Sequence, residues 1–99
     1  MVTTWKVMLG SPHTVQVDHI GMSGKLMMKV DGKEILQKTL SRGDDFEYQF
    51  VIKEGIFQKG KPCLLRIVYK LEQLGGMGKM ETWDYELLLD GVKQKAEAA

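Results

Sequence analysis

Residues 46–52, Phe46-Glu47-Tyr48-Gln49-Phe50-Val51-Ile52, place Phe46, Tyr48, Phe50 and Ile52 on one side of an extended chain and Glu47, Gln49 and Val51 on the other. Successive side chains of a strand point to opposite faces, so this period of two predicts a half-buried β-strand. A polar turn, Ser41 to Asp45 with Gly43, precedes it. Lys53 to Pro62, with Gly55 and Gly60, follows as a longer connection in which Ile56 and Phe57 either tuck an apolar side down or add a short strand.

The same alternation recurs in both directions. Upstream it predicts strands over Val2–Leu9, His13–Ile20, Lys25–Val30 and Glu34–Leu40, with Trp5, Val7, Val15, Val17, Leu26 and Met28 facing inward. Downstream it predicts Cys63–Leu71 and Glu81–Leu89, with Cys63, Leu65, Ile67, Tyr69, Leu71, Trp83, Tyr85, Leu87 and Leu89 inward, then a short return from Val92. Asp31-Gly32 and Asp90-Gly91 have the composition of tight hairpin turns, which need positive φ at both central residues. Gly75, Gly76 and Gly78 mark a further loop.

Seven or eight strands, each with one apolar face, fit an all-β antiparallel sandwich of two sheets that hide their inner sides and wet the outer ones. A small closed barrel obeys the same alternation. The expected organisation is one domain over 1–95 and a frayed tail over 96–99, and Phe50→Ala and Trp83→Ala are each expected to cost about 3–5 kcal/mol if both rings face the core.

Fourteen basic residues oppose thirteen acidic ones for a net charge of +1. Phosphate-backbone binding needs concentrated basic surface, so nucleic acid is not expected as a partner. Nor is membrane insertion, since no apolar run approaches the ~20 residues of a spanning helix. One cysteine cannot build an intramolecular disulfide framework, and the first residues, broken by Thr3, Thr4 and Lys6, read as a strand and not as a secretory leader. The expected location is cytoplasmic.

A nucleophile needs an activating base within hydrogen-bond reach. Cys63 falls on the inner face beside Leu65 and Ile67, where a thiol acts as a core filler, and Ser11, Ser23 and Ser41 lack the contexts of activated serines. His13 and His19 share a face of one strand but lie six residues, roughly 20 Å, apart, so they cannot hold one metal ion together. A histidine at a strand end is expected to hydrogen-bond across the sheet rim. Asp31, Asp44, Asp45 and Asp90 lie in turns, and the Gly75–Lys79 stretch lacks phosphate-loop spacing and precedes a strand. No catalytic, cofactor-binding or metal-binding residue is expected. The outward positions Met8, Met27, Val51, Leu64, Val68 and Leu88 are apolar and are candidates for an interaction patch if they cluster.

Residues 13–34, HTVQVDHIGMSGKLMMKVDGKE, resemble without a gap the corresponding segment of the Fas apoptotic inhibitory molecule family. The matching positions are His13, His19, Ser23, Gly24, Lys25, Val30, Asp31, Gly32, Lys33 and Glu34, with similar residues at Val15, Val17 and Asp18. Support extends upstream to Trp5, Val7 and Leu9, and downstream to Phe50–Ile52, Cys63–Ile67 and Tyr85–Leu87. The likeness is to the first of the two consecutive domains of familiar members. It implies a β-sandwich of about eight strands and a cytosolic non-enzyme associated with protection from death-receptor apoptosis, neurite-growth signalling and suppression of protein aggregation. The expected function is therefore a cytosolic protein-interaction module with a protein partner and a capacity for self-association; the alternative is a structural subunit of a larger assembly.

Overall fold

A computed structural model of the chain describes residues 1–41, 43–53 and 60–97, the side chain of Met77 excepted. The expected connection through Ile56 and Phe57 lies outside the described residues. Among the described residues, eight strands form two antiparallel four-stranded sheets. Sheet A is a meander of β1 (Val2–Met8), β2 (Pro12–His19), β3 (Lys25–Val30) and β4 (Lys33–Thr39); sheet B is a second meander of β5 (Phe46–Ile52), β6 (Lys61–Gln73), β7 (Lys79–Leu89) and β8 (Val92–Gln94).

The core lies between the sheets. Trp5, Val7, Val15, Val17, Leu26 and Met28 from sheet A meet Ile52, Cys63, Leu65, Ile67 and Leu87 from sheet B, with Leu40 at the crossing between them. Phe50 and Trp83 do face this core, although both are only partly buried. Leu71, expected inward, is half exposed, because β6 and β7 run past the end of sheet A as a long hairpin closed by a 3-10 turn at Gly75–Met77. That hairpin contributes to extents of 57 × 23 × 22 Å.

The turns set the register. Asp31 and Gly32 adopt φ of 52° and 81°, and Asp90 and Gly91 adopt 50° and 81°, the twist that lets two-residue loops close β3–β4 and β7–β8. Gly24 has φ of 77°; its carbonyl accepts from the amide of Leu40, and any Cβ there would overlap the Leu40 carbonyl oxygen. A register shift between Met28 and Lys29 lets consecutive Ile35 and Leu36 both reach the core margin from β4.

The expected frayed tail over 96–99 needs correction at its start. Ala96 forms an antiparallel bridge to Trp5, and the Glu97 amide donates to the Thr4 carbonyl at 2.8 Å. The backbone of these residues covers the middle of the free edge of β1, at Thr4 and Trp5, and so ties the end of the sheet B meander to sheet A.

Candidate functional site

On the outer face of sheet B, pairing places Leu64 of β6 directly opposite Leu88 of β7 and opposite Gln49 of β5, while Val51 stands opposite Pro62. Directly opposed side chains in an antiparallel sheet lie close enough to touch. The result is an open depression of about 420 Å³ whose lining includes Val51, Pro62, Leu64 and Leu88, with Asp90 and Gly91 at one side. Val51 is 53% exposed, and Leu64 and Leu88 are half-buried in the walls.

A band of charge bounds this apolar area. Arg66, two residues beyond Leu64, reaches Glu47 on β5 at 3.0 Å and Glu86 on β7 at 3.6 Å, and Lys93 on β8 approaches the same Glu86 at 3.8 Å. Val68 lies on the far side of Arg66, opposite Asp84, which is ion-paired with Lys70. Of the six outward apolar positions, Val51, Leu64 and Leu88 therefore converge and Val68 is cut off from them. Met8 and Met27 belong to sheet A: Met8 is 71% exposed at the end of β1, and Met27 is half-buried in a shallow hollow with Asp18, Ile20 and Gln37. The expectation of exposure holds in full for Met8 and Val51 alone; Met27, Leu64, Val68 and Leu88 are each shielded by cross-strand neighbours.

The reactive side chains are held in structural bonds. Cys63 is buried, its thiol 3.6 Å from the Lys61 carbonyl, and burial raises its pKa, so the thiol keeps its proton. His13 sits 2.6 Å from the carboxylate of Asp31, which also accepts the Thr14 amide at 2.8 Å. The His13 bond and then the Thr14 amide hold the Asp31 carboxyl below its ordinary range. This is the cross-rim bond expected of a strand-end histidine, and it locks the Asp31-Gly32 turn onto β2.

His19 is used differently. Its Nδ1 meets the Tyr85 hydroxyl of the opposite sheet at 2.6 Å, and its ring packs edge-on to Trp83 and Tyr85 at centroid distances of 5.3 and 5.8 Å. Burial lowers the His19 pKa, the amino terminus lowers it further and Asp18 opposes both, while burial pushes Tyr85 up to about 12. Among the described residues, no group of three His, Cys, Asp or Glu side chains is arranged to hold a metal ion.

A family model, Fas apoptotic inhibitory molecule (FAIM1), matches residues 1–96, nearly the whole chain. The chain belongs to this family. No curated protein matches the chain at a significant level.

Within the family motif, Ser23 accepts the Lys25 amide at 3.3 Å, Gly24 is buried beneath Leu40, and Lys25, Lys33 and Glu34 are exposed around the two sheet A turns. These residues lie on the other sheet from the Leu64–Leu88 depression. The His19–Tyr85 link escaped the sequence reading because its partners are 66 residues apart and on different sheets. The one local hint was a polar ring on an otherwise apolar inner face.

Proposed function

We propose that the chain is a non-enzymatic, cytoplasmic protein-interaction module that docks a partner protein on the outer face of sheet B. The observation that carries this reading is the convergence of Val51, Leu64 and Leu88 in one apolar depression bounded on one side by the Arg66, Glu47, Glu86 and Lys93 charges. An apolar centre with a polar rim is the anatomy of a protein interface, in which the centre supplies affinity and the rim supplies specificity. The partner chemistry it suits is an aliphatic or aromatic side chain presented between charged neighbours. Family membership supports a regulatory role in apoptosis, or protection against protein aggregation, as the cellular outcome.

The test is proximity labelling and pull-down from cells, comparing the wild-type chain with Leu64→Glu/Leu88→Glu. A specific partner retained by the wild type and lost by a variant that melts within a few degrees of it supports the reading, as does a parallel loss of protection against caspase activation after death-receptor ligation. No wild-type partner, or equal retention by the folded variant, overturns it. A structural-subunit role has one feature in its favour, the apolar Leu71, Leu74 and Met80 exposed along the β6–β7 hairpin. Recovery of the chain only within a stoichiometric complex that depends on this hairpin would favour that second reading.

A further inference from the structure

Sheet A and sheet B together have four edge strands, and three of them are protected. The β1 edge is met by Ala96 and Glu97, β8 has only three residues, and β4 carries Lys33, Glu34 and Lys38 along a bulged ladder. β5 differs. It pairs with β6 through seven consecutive residues without a register shift, contains neither proline nor glycine, and carries one charge, Glu47. Among the described residues it pairs with no strand on its other side. A long, flat, apolar edge of this kind is a template for another strand.

The geometry points to a second copy of this chain as that strand, paired antiparallel to β5 about a two-fold axis at Gln49. In this arrangement the numbers of opposed residues sum to 98, and all seven residues of β5 find a partner. Tyr48 faces Phe50 of the second copy, Phe46 faces Ile52, and Glu47 faces Val51, so the two Glu47 carboxylates are kept apart. Immediately beyond the strand, the exposed Asp45 of each copy, whose Oδ1 accepts the Tyr69 amide of its own chain at 2.8 Å and leaves Oδ2 for a further contact, stands opposite the exposed Lys53 of the other. The end of β5 that bears a carboxylate thus meets the end that bears an ammonium, twice by symmetry.

Because the sum is even, the partly buried Phe46-Tyr48-Phe50 rows of both copies lie on the same side of the joint sheet. Each row is already stacked, with centroid separations of 6.5 and 6.0 Å. The rows would cover each other's open flank, adding cross-strand aromatic pairs to the backbone bonds. A parallel pairing in register would instead set Glu47 beside Glu47. The contact shares Gln49 and Val51 with the β5 margin of the depression but uses neither Leu64 nor Leu88, so Leu64→Glu/Leu88→Glu, which should dimerise like the wild type, separates failure of this contact from failure of the partner-binding proposal.

Cysteine placement tests both the association and its register. Opposed residues of an antiparallel pair have Cα atoms about 4.5–5.5 Å apart, within reach of a disulfide. Gln49→Cys, at an exposed position, should cross-link to itself under mild oxidation. Glu47→Cys alone and Val51→Cys alone should not, because each thiol lies about 13 Å from its own copy, whereas an equimolar mixture of the two should. Wild-type protein, with only the buried Cys63, is the control. Sedimentation equilibrium should show a reversible dimer of the wild-type chain, weakened about tenfold in Lys53→Glu by the two lost charge pairs. Monomers at every concentration overturn the proposal, as does cross-linking of Glu47→Cys alone as efficient as that of the mixture. Retention of a foreign strand on β5 without self-association overturns the choice of occupant.

Discussion

His19 and Tyr85 form a polar link through an apolar interior, and its chemistry sets two expectations. Removing the hydroxyl in Tyr85→Phe leaves Nδ1 of a buried ring without its 2.6 Å partner. A buried polar atom that loses its partner costs about 1–3 kcal/mol, so urea melts of Tyr85→Phe should shift by that amount. The second expectation concerns pH. The folded protein holds the His19 pKa below the 6.5 of the free side chain, so the unfolded chain takes up this proton first. The contribution of His19 to stability is therefore full above about pH 6.5 and declines as pH falls toward the folded pKa. Stability curves between about pH 5 and 7 should be steeper for wild type than for His19→Gln. Equal slopes would mean that His19 is wet. Asp31 acts lower on the scale: its depressed pKa stabilises the fold above the ordinary carboxylate value of 3.8, and that support is lost only as pH falls through the folded pKa.

At the scale of the element, burial ranks the aromatic residues. Trp5 is 1% exposed in the middle of β1, whereas Phe50 and Trp83 lie at the core margin. Trp5→Ala should reach about 3–5 kcal/mol in denaturant melts, with Phe50→Ala and Trp83→Ala at the low end of that range or below it, because part of each side chain stays in contact with solvent. Gly24→Ala should cost about 1–3 kcal/mol, combining a left-handed backbone with an overlap on the Leu40 carbonyl, while Gly32→Ala, whose Cβ would meet open space, bears only the backbone part. Alternation made the strands legible, to the residue for Lys25–Val30 and Phe46–Ile52, because a half-buried strand writes its two faces into its composition. It stopped short on β6 and β7, whose ladder runs on to Gln73 and from Lys79 through exposed residues that a hairpin partner pairs but no core selects. The candidate site was legible as single outward residues and not as a cluster. Leu64 meets Leu88 through a register set by pairing across 24 positions, which no local pattern encodes.

Considered whole, the molecule is two meanders joined covalently through residues 40–45 on one side and by the backbone of Ala96 and Glu97 on the other. The second join was hidden in the sequence because small and charged residues near a chain end look the same whether they are paired or free. Its energetic weight follows from what it covers. Deleting residues 96–99 would uncover the edge of β1 beside Trp5 and leave the Thr4 carbonyl without its Glu97 donor. The Lys6–Glu97 ion pair, 3.3 Å long, joins side chains that are 69% and 41% exposed, and such pairs contribute at most about 1 kcal/mol. The deletion should therefore lower stability by about 1–3 kcal/mol, mostly through backbone bonds and solvent access to the Trp5 region. Glu97→Ala, which keeps the amide, should lose less than about 1 kcal/mol. Hydrogen exchange separates this from a general loss of stability: amides of β1 should open far more readily in the truncated chain, while those in the centre of β6 should slow or speed only with the global free energy. Uniform acceleration across both sheets would show that the chain end stabilises the fold as a whole and does not act as a clasp on β1.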